Sequence, residues 1–453
     1  MNFEQLLSQG RQCIAAQTPR DAIPLFLKIL NADPNHVAAL AGLAKATLQL
    51  NDPATASQML KIALAKAPDD PDILNAAGYA QLALGDCFAA LEKFEAALVH
   101  SPDQPGILLN LASACCGISA YDRAEEIYQR LEAMEGHVDA TVQYNHSLLL
   151  LLQGRFSEAW LGFELRREAT NTGLLQRKLP GQPWDGSERR SDHLLVHAEQ
   201  GLGDNIQFIR YLPMIASRVG RVTLEAPKVL MELFEKVPGI DDLLPAGAPL
   251  PDCDWHVSIM SLPALCRTTE ETIPAHVPYL SVEEDAAERW REKLDADDGR
   301  RHVGLVWAGN PGHGRDRERS LPLRTLVPAL AGRKDVAFHA FQIGDPLAQV
   351  HEVASDVNVQ PLFTEPQPMR DVAAALSAVD LLISVDTALA HLAGALRRPV
   401  WTLITHVPDW RWMLRRADTP WYPTMRLFRQ PVAGDWVSVV NAVGEALTAE
   451  TTV

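Results

Sequence analysis

The sequence predicts an all-helical repeat stack followed by two doubly wound α/β domains. Three features carry that prediction. Prolines recur at a fixed period in the first third, short apolar runs alternate with amphipathic stretches in the remainder, and a polar break near Asp295 divides that alternation into two series. Length and composition agree with it. A chain of 453 residues has room for about three domains. With 47% hydrophobic and 22% charged residues it is neither disordered, collagenous nor built on disulfides. Its 57 acidic and 41 basic residues leave a net charge of -16. Such a balance repels a phosphate backbone at long range, so no nucleic-acid partner is expected.

The repeats come first. Pro34, Pro68 and Pro102 stand 34 residues apart, and other columns share the period. Gly10, Ala44, Gly78 and Ala112 are small in every row, as are Ala22, Ala56, Ala90 and Ala124. Phe26, Leu60, Phe94 and Tyr128 are large and apolar. Each unit reads as a helix pair. Small columns mark close helix contacts, the large column fills the gap to the next pair, and the proline ends the second helix because it lacks an N–H. One unit cannot bury its own face, so stacking supplies the core. Gly136 stands where the fourth proline would be, and a later unit, slightly out of step, carries Gly154, Ala159 and Phe163. About five units over residues 3 to 168 are expected. A repeat stack serves as a recognition surface for an extended peptide or as a structural or self-association surface.

From Thr172 to Arg190 the composition shifts to Pro, Gly and charge, which reads as a linker. The first α/β series then runs through strands at 193–199, 222–226 and 255–259 and a charged helix at 283–294. The second runs through strands at 303–308, 336–342, 380–385 and 399–404, helices at 371–379 and 387–395, and a closing helix at 432–447. Ligands of such sheets sit at the carboxyl ends of the strands, so two facing sheets imply a cleft.

Four stretches fall at those ends. In Glu199-Gln-Gly-Leu-Gly-Asp204-Asn-Ile206, Gly201 and Gly203 permit a tight turn, and Ile206 occupies the place of a third dinucleotide-binding glycine, which argues against a nicotinamide or flavin enzyme. Asp204 is there either a general base or a plain helix cap. In Ser384-Val-Asp386-Thr387-Ala-Leu-Ala-His391, Asp386 and Thr387 open a helix whose free N–H groups suit a diphosphate. His391 shares their face and is either a core histidine or a site residue. The loop from Gly309 to Ser320 carries Arg315, Arg317 and Arg319, a phosphate clamp or a solvated loop. Gln342 ends the neighbouring strand. Asp409 and Trp410 follow another strand, the tryptophan lining a pocket or anchoring a loop. Asp252-Cys-Asp254 and Asp295-Ala-Asp297 have a D-x-D form that arises easily by chance, and no metal site is expected from them.

Together these residues resemble the ADP-heptose:lipopolysaccharide heptosyltransferase family over about residues 190 to 430, and the helical segment resembles tetratricopeptide repeats. The whole layout resembles bacterial TPR-containing glycosyltransferases, with a similar plan in O-linked GlcNAc transferases and flagellin-modifying enzymes. The resemblance implies a TPR-like α-solenoid followed by a GT-B pair of Rossmann-like domains. The expected boundaries are 1–170 for the repeats, 171–192 for the linker, 193–295 for the acceptor-side domain, 296–431 for the nucleotide-sugar domain and 432–453 for a closing helix and tail. It implies that Asp204, matched through Gly203-Asp204, is the catalytic base of an inverting, metal-independent glycosyltransferase. It implies nucleotide-sugar binding at Asp386, Thr387 and His391, mainly at the diphosphate. Arg315, Arg317 and Arg319 would take the place of a phosphate-binding lysine, Ser320 would join the nucleotide-sugar site, and Gln342 with Asp409 or Trp410 would shape the donor pocket. No cofactor is implied beyond the nucleotide-sugar co-substrate, and the acceptor implied is a protein such as flagellin, delivered by the repeats. The rival readings are an inactive scaffold or sugar-nucleotide sensor, a heptosyltransferase acting on a glycolipid, and a GT-B epimerase.

Six scattered cysteines lack zinc-site spacing and read as reduced thiols. The first ten residues lack the marks of a signal peptide, and the longest leucine run, 148–152, is too short to span a membrane. A cytoplasmic location is expected.

Overall fold

The computed structural model describes residues 2–134, 139–170, 172, 177–295 and 298–451. It divides into two compact units, 1–149 and 150–453. Gly136 and Asp297 lie outside the described residues.

The first unit is built of helix pairs. First helices run Phe3–Ala15, Val37–Gln49, Pro71–Ala83 and Pro105–Gly117, and second helices Pro19–Ala32, Pro53–Lys66, Cys87–His100 and Tyr121–Ala133. The punctuation seen in the sequence has structural cause. Pro19, Pro53, Pro71 and Pro105 occupy first helical positions, where a missing N–H costs nothing. Asp52, Asp70 and Asp86 cap their helices by accepting first-turn N–H groups. All three periodic columns are buried. The large column meets the small one directly: a Cβ added at Gly10 would lie 2.5 Å from the Phe26 ring, and one at Gly78 2.5 Å from Phe94. The ring therefore needs the glycine, and the period is a packing requirement.

The helix Ala140–Leu152 contains the unit boundary, and the next, Phe156–Glu164, belongs to the second unit. The division between the two units thus falls inside the helix pair at the place expected for the fifth repeat. Phe156, Trp160 and Phe163 pack edge-on against Trp410, and the Trp160 indole donates to the Thr268 carbonyl at 2.7 Å. An apolar face that repeats would turn to another repeat is here used by the α/β unit.

The second unit holds two wholly parallel sheets. The first consists of β1 (Gln182–Pro183), β2 (Arg189–His197), β3 (Val219–Ala226), β4 (Asp242–Pro245) and β5 (Trp255–Ser258), in the order β1-β5-β2-β3-β4. The second consists of β6 (Arg301–Val306), β7 (Val336–Ala340), β8 (Val359–Pro361), β9 (Leu381–Val385), β10 (Val400–Ile404) and β11 (Met425–Arg429), in the order β11-β10-β9-β6-β7-β8. Leu194 pairs in register with Val222 and Trp255, and Val303 with Phe338 and Leu381. In each sheet the chain reverses its direction of growth once, between β2 and β5 and between β6 and β9. Ligands of doubly wound sheets bind outside the carboxyl ends at such reversals.

Three boundaries differ from expectation. The linker 171–192 already contains β1 and the start of β2, because backbone pairing with β5 and β3 overrides its proline-rich composition. The Glu284–Leu294 helix, expected with the first sheet, packs on the Met369–Ser377 helix of the second, and Trp290 meets Phe363 at 5.3 Å. The closing helix runs Trp436–Thr451 and buries Val439, Val440, Val443 and Leu447 in the second sheet's core. It belongs to that domain.

Candidate functional site

The glycine turn follows β2, at the reversal of the first sheet. Gln200 has φ 61°, a left-handed conformation that a side chain adopts only under constraint. The constraint lies beneath it. Arg166, wholly buried, donates to Glu199 at 2.6 Å and to Ser261 at 2.7 Å. Asn205 closes the turn by donating to the Gly201 carbonyl at 2.7 Å. The helix Leu202–Phe208 then starts with Asp204 at its third position.

Asp204 plays the cap as well as facing the cleft. Its Oδ2 accepts the Gly201 N–H at 2.8 Å, and its Oδ1 is ion-paired with Arg411. Burial pushes its carboxyl above the ordinary carboxylate range, against the pull of Arg411. Gly203 has a different task from its neighbour. A Cβ there would lie 2.9 Å from His391 Cδ2 and 3.5 Å from the Ala388 Cα. Only glycine lets this helix approach the Ala388–Ala395 helix so closely.

The second sheet supplies the opposite wall from its own reversal point. Thr387 is the N-cap of the Ala388–Ala395 helix and makes no side-chain capping bond. Its hydroxyl lies 3.0 Å from that of Ser384 instead. The first turn of that helix thus faces the cleft with its positive end uncapped by the threonine. His391 is fixed by the Tyr422 hydroxyl at 2.9 Å and stacks on Trp412 with ring centroids 5.2 Å apart. Burial, then Arg411, lowers its imidazolium to about 3. Held in this way, the ring forms a rigid wall of the cleft.

These elements enclose a cavity of about 830 Å³. Gly201, Gly203, Asp204, Arg319, Gln342, Asp386, Thr387, His391 and Asp409 all line it. Several have structural duties there too. Gln342 accepts the Ala308 N–H at 2.9 Å and pins the turn after β6. Arg319 donates to the Asp386 carbonyl at 3.0 Å and to Asp316 at 3.2 Å, tying the arginine loop to the end of β9. Arg315, braced by Glu318 and the Val407 carbonyl, lines the cavity as well.

Three expected residues do not line it. Arg317 is exposed beside the cavity, because the short Asp316–Arg319 helix replaces an extended loop and turns alternate arginines apart. Ser320 spends its hydroxyl accepting the Gly309 N–H at 2.9 Å. Trp410 is a loop anchor, sealed between Phe163, Trp160, Phe208 and Trp421. The D-x-D segment at Asp252 is also structural, since Asp254 accepts the His193 N–H at 2.8 Å.

The residue absent from the expected set is Arg411. It is 6% exposed and lines the cavity. Its guanidinium joins Asp204, Asp409 (2.9 Å) and Gln207 (2.6 Å), and lies over the Trp410 ring at 4.5 Å. The signal was an arginine between two tryptophans just past a strand end, where a charge has no other reason to be. Around it the carboxylates diverge. Burial, then the like charge of Asp409, raises Asp386 to about 6. At Asp409 burial works the other way from Arg411, and Arg411 prevails, holding that carboxyl below its ordinary value.

Comparison with known proteins bears on the same residues. The glycosyltransferase family 9 (heptosyltransferase) family matches residues 365–425, which include Asp386, Thr387, His391, Asp409 and Arg411. Tetratricopeptide repeat families match residues 14–79 and 75–134. Protein FlbA of Caulobacter vibrioides is 26% identical over 463 residues, covering 97% of this chain and 77% of that protein. Among solved structures, a thermophilic TPR protein of Thermus thermophilus is 22% identical with a TM-score of 0.34, covering 38% of this chain and 93% of that one. PilF of Pseudomonas aeruginosa is 18% identical with a TM-score of 0.33, covering 38% of this chain and 78% of that one. The chain thus joins amino-terminal tetratricopeptide repeats to a glycosyltransferase family 9 (heptosyltransferase) domain, and that domain supports a glycosyltransferase.

Proposed function

We propose that this protein is an inverting, metal-independent glycosyltransferase of GT-B architecture, moving a sugar from a nucleotide-sugar donor to an acceptor hydroxyl. The carrying observation is that one cavity has Asp204 on one wall and an uncapped helix start beside Arg319 and Arg315 on the other. Asp204 takes the acceptor's hydroxyl proton. The oxygen forms a bond to the anomeric carbon as the bond from that carbon to the diphosphate breaks. The nucleoside diphosphate leaves with its charge held by the Thr387–Leu389 turn and the arginines, which supply the stabilisation a divalent ion gives elsewhere. A carboxyl raised by burial is the better base near neutral pH.

The repeats suggest protein interaction, and we assign them delivery of a protein acceptor. Among the described residues no helix is long and apolar enough to cross a membrane.

The test is calorimetric titration with UDP, ADP, GDP and CMP, each with EDTA and with magnesium. Tight binding of one nucleotide regardless of EDTA supports the reading and names the donor class. Binding only with magnesium overturns the mechanism, and binding of none moves the assignment to a scaffold.

A further inference from the structure

Arg411 holds the base of one wall and the carboxylate of the other with a single guanidinium. Nη2 pairs with Asp204, Nη1 with Asp409 and Nε with Gln207, so both terminal nitrogens are committed to carboxylates while facing the cavity. Burial raises the Asp204 carboxyl, but the pairing works against it: with Arg411 in place Asp204 is a weaker base than it would be unpaired, because taking a proton from an acceptor competes with the ion pair it already makes. The site as folded is therefore at rest. The same cavity offers a diphosphate the uncapped start of the Ala388–Ala395 helix, and Gly203 brings Asp204 against that helix start. A diphosphate there carries more charge than Asp204 and meets Arg411 from the cavity side.

We propose that Arg411 is a latch: an incoming donor diphosphate takes its guanidinium from Asp204, and only then is Asp204 free to accept a proton. This rests on the reading of the cavity as a donor site and of Asp204 as the base. It makes Arg411 a positioning residue and imposes an order, donor before acceptor. It also guards the donor, since the base is not exposed until a donor is seated. The freed carboxylate remains buried and faces like charges, namely Asp409 on its flank and Asp386 at the helix start, with Glu318 on the arginine loop. The remaining neighbours are Arg319 and Arg315, which the diphosphate engages, and the neutral His391 and His313. Loss of the Arg411 ion pair raises the Asp204 carboxyl further, so diphosphate binding near neutral pH is accompanied by fractional proton uptake, and the fraction that stays ionised is the stronger base.

The experiment uses the full chain and four probes, UDP, ADP, GDP and inorganic pyrophosphate. Calorimetry at pH 7 in two buffers of different ionisation heat gives the protons taken up per ligand bound. Asp204→Asn is the informative variant, because its side-chain oxygen still accepts the Gly201 N–H and the turn survives. The parent should take up more protons than the variant. The variant should bind the tightest probe about tenfold more strongly, since no charged rival holds Arg411. Equal uptake with equal or weaker affinity overturns the latch, as does binding of none of the four. Sugar transfer by the variant separates the two claims. Lost linkage with intact transfer shows that the diphosphate displaces Asp204 from Arg411 but removes Asp204 as base, and with it the latch's role in catalysis. Unchanged linkage with lost transfer removes the latch and keeps the base. Arg411→Lys keeps one charge but cannot span three acceptors, so it should show intermediate uptake and weaker diphosphate binding.

Discussion

The two walls of the cavity are built from the same parts to different ends. Each is a parallel strand, a turn and a helix at the point where its sheet reverses. After β2 the turn is strained at Gln200, its helix is seven residues long, and it presents a carboxylate. After β9 the helix is almost wholly buried, its start is uncapped, and it presents N–H groups with cations beside them. On the proposed reading the first wall takes a proton and the second holds an anion. A sheet reversal fixes where chemistry occurs, and the residue at the first helical turn fixes which chemistry.

That contrast is open to attack by substitution. The largest effect should come from the first wall: Asp204→Asn should lower turnover about a thousandfold, the scale of a lost general base, while nucleoside diphosphate binding persists. Parallel loss of binding would merge the two walls into one function. Next, Arg319→Ala should weaken nucleoside diphosphate binding by about 10- to 100-fold, the worth of a charge-assisted hydrogen bond, with turnover at saturating donor far less affected. A third effect concerns pH. Asp386 is held up to about 6 by burial and the Asp409 charge, against about 3.9 in an unfolded chain. Between those values the folded chain keeps a proton that the unfolded chain has lost, so stability falls as pH rises through that window. Asp386→Asn should flatten the fall and stabilise the second unit at neutral pH by on the order of 1–2 kcal/mol in urea unfolding. The smallest effect belongs to a residue on neither wall. Asp254→Ala should cost about 1 kcal/mol for the lost His193 bond and leave nucleotide binding unchanged with or without magnesium.

The sequence made the periodic parts readable and the shared parts opaque. The repeat columns were legible because Phe26 and Phe94 demand a small partner at a fixed spacing. Strands β2, β6, β9 and β10 were legible as apolar runs, because both faces of a parallel sheet are covered. The strands β4, β8 and β11 were missed: β4 and β8 are short and partly exposed at sheet edges, and β11 is interrupted by Arg426. At the site, nine expected residues do line one cavity, since glycine turns and helix starts leave local marks. Arg411 left only its place between two tryptophans past a strand end, which does not reveal its role, because that role depends on Asp204 and Gln207, more than two hundred positions away in the chain. Trp410 and Phe156 likewise exchanged a pocket and a repeat face for a common aromatic core that only the tertiary fold assembles.

The contact of Gly203 with His391 carries a consequence for descent. Every other amino acid brings a Cβ, and that carbon would meet an imidazole clamped by Tyr422 and Trp412. No single missense step at this codon is accommodated without parting the two helices, and parting them carries Asp204 away from the start of the Ala388–Ala395 helix. Relatives that keep this chemistry should keep the glycine even where the surrounding residues have drifted.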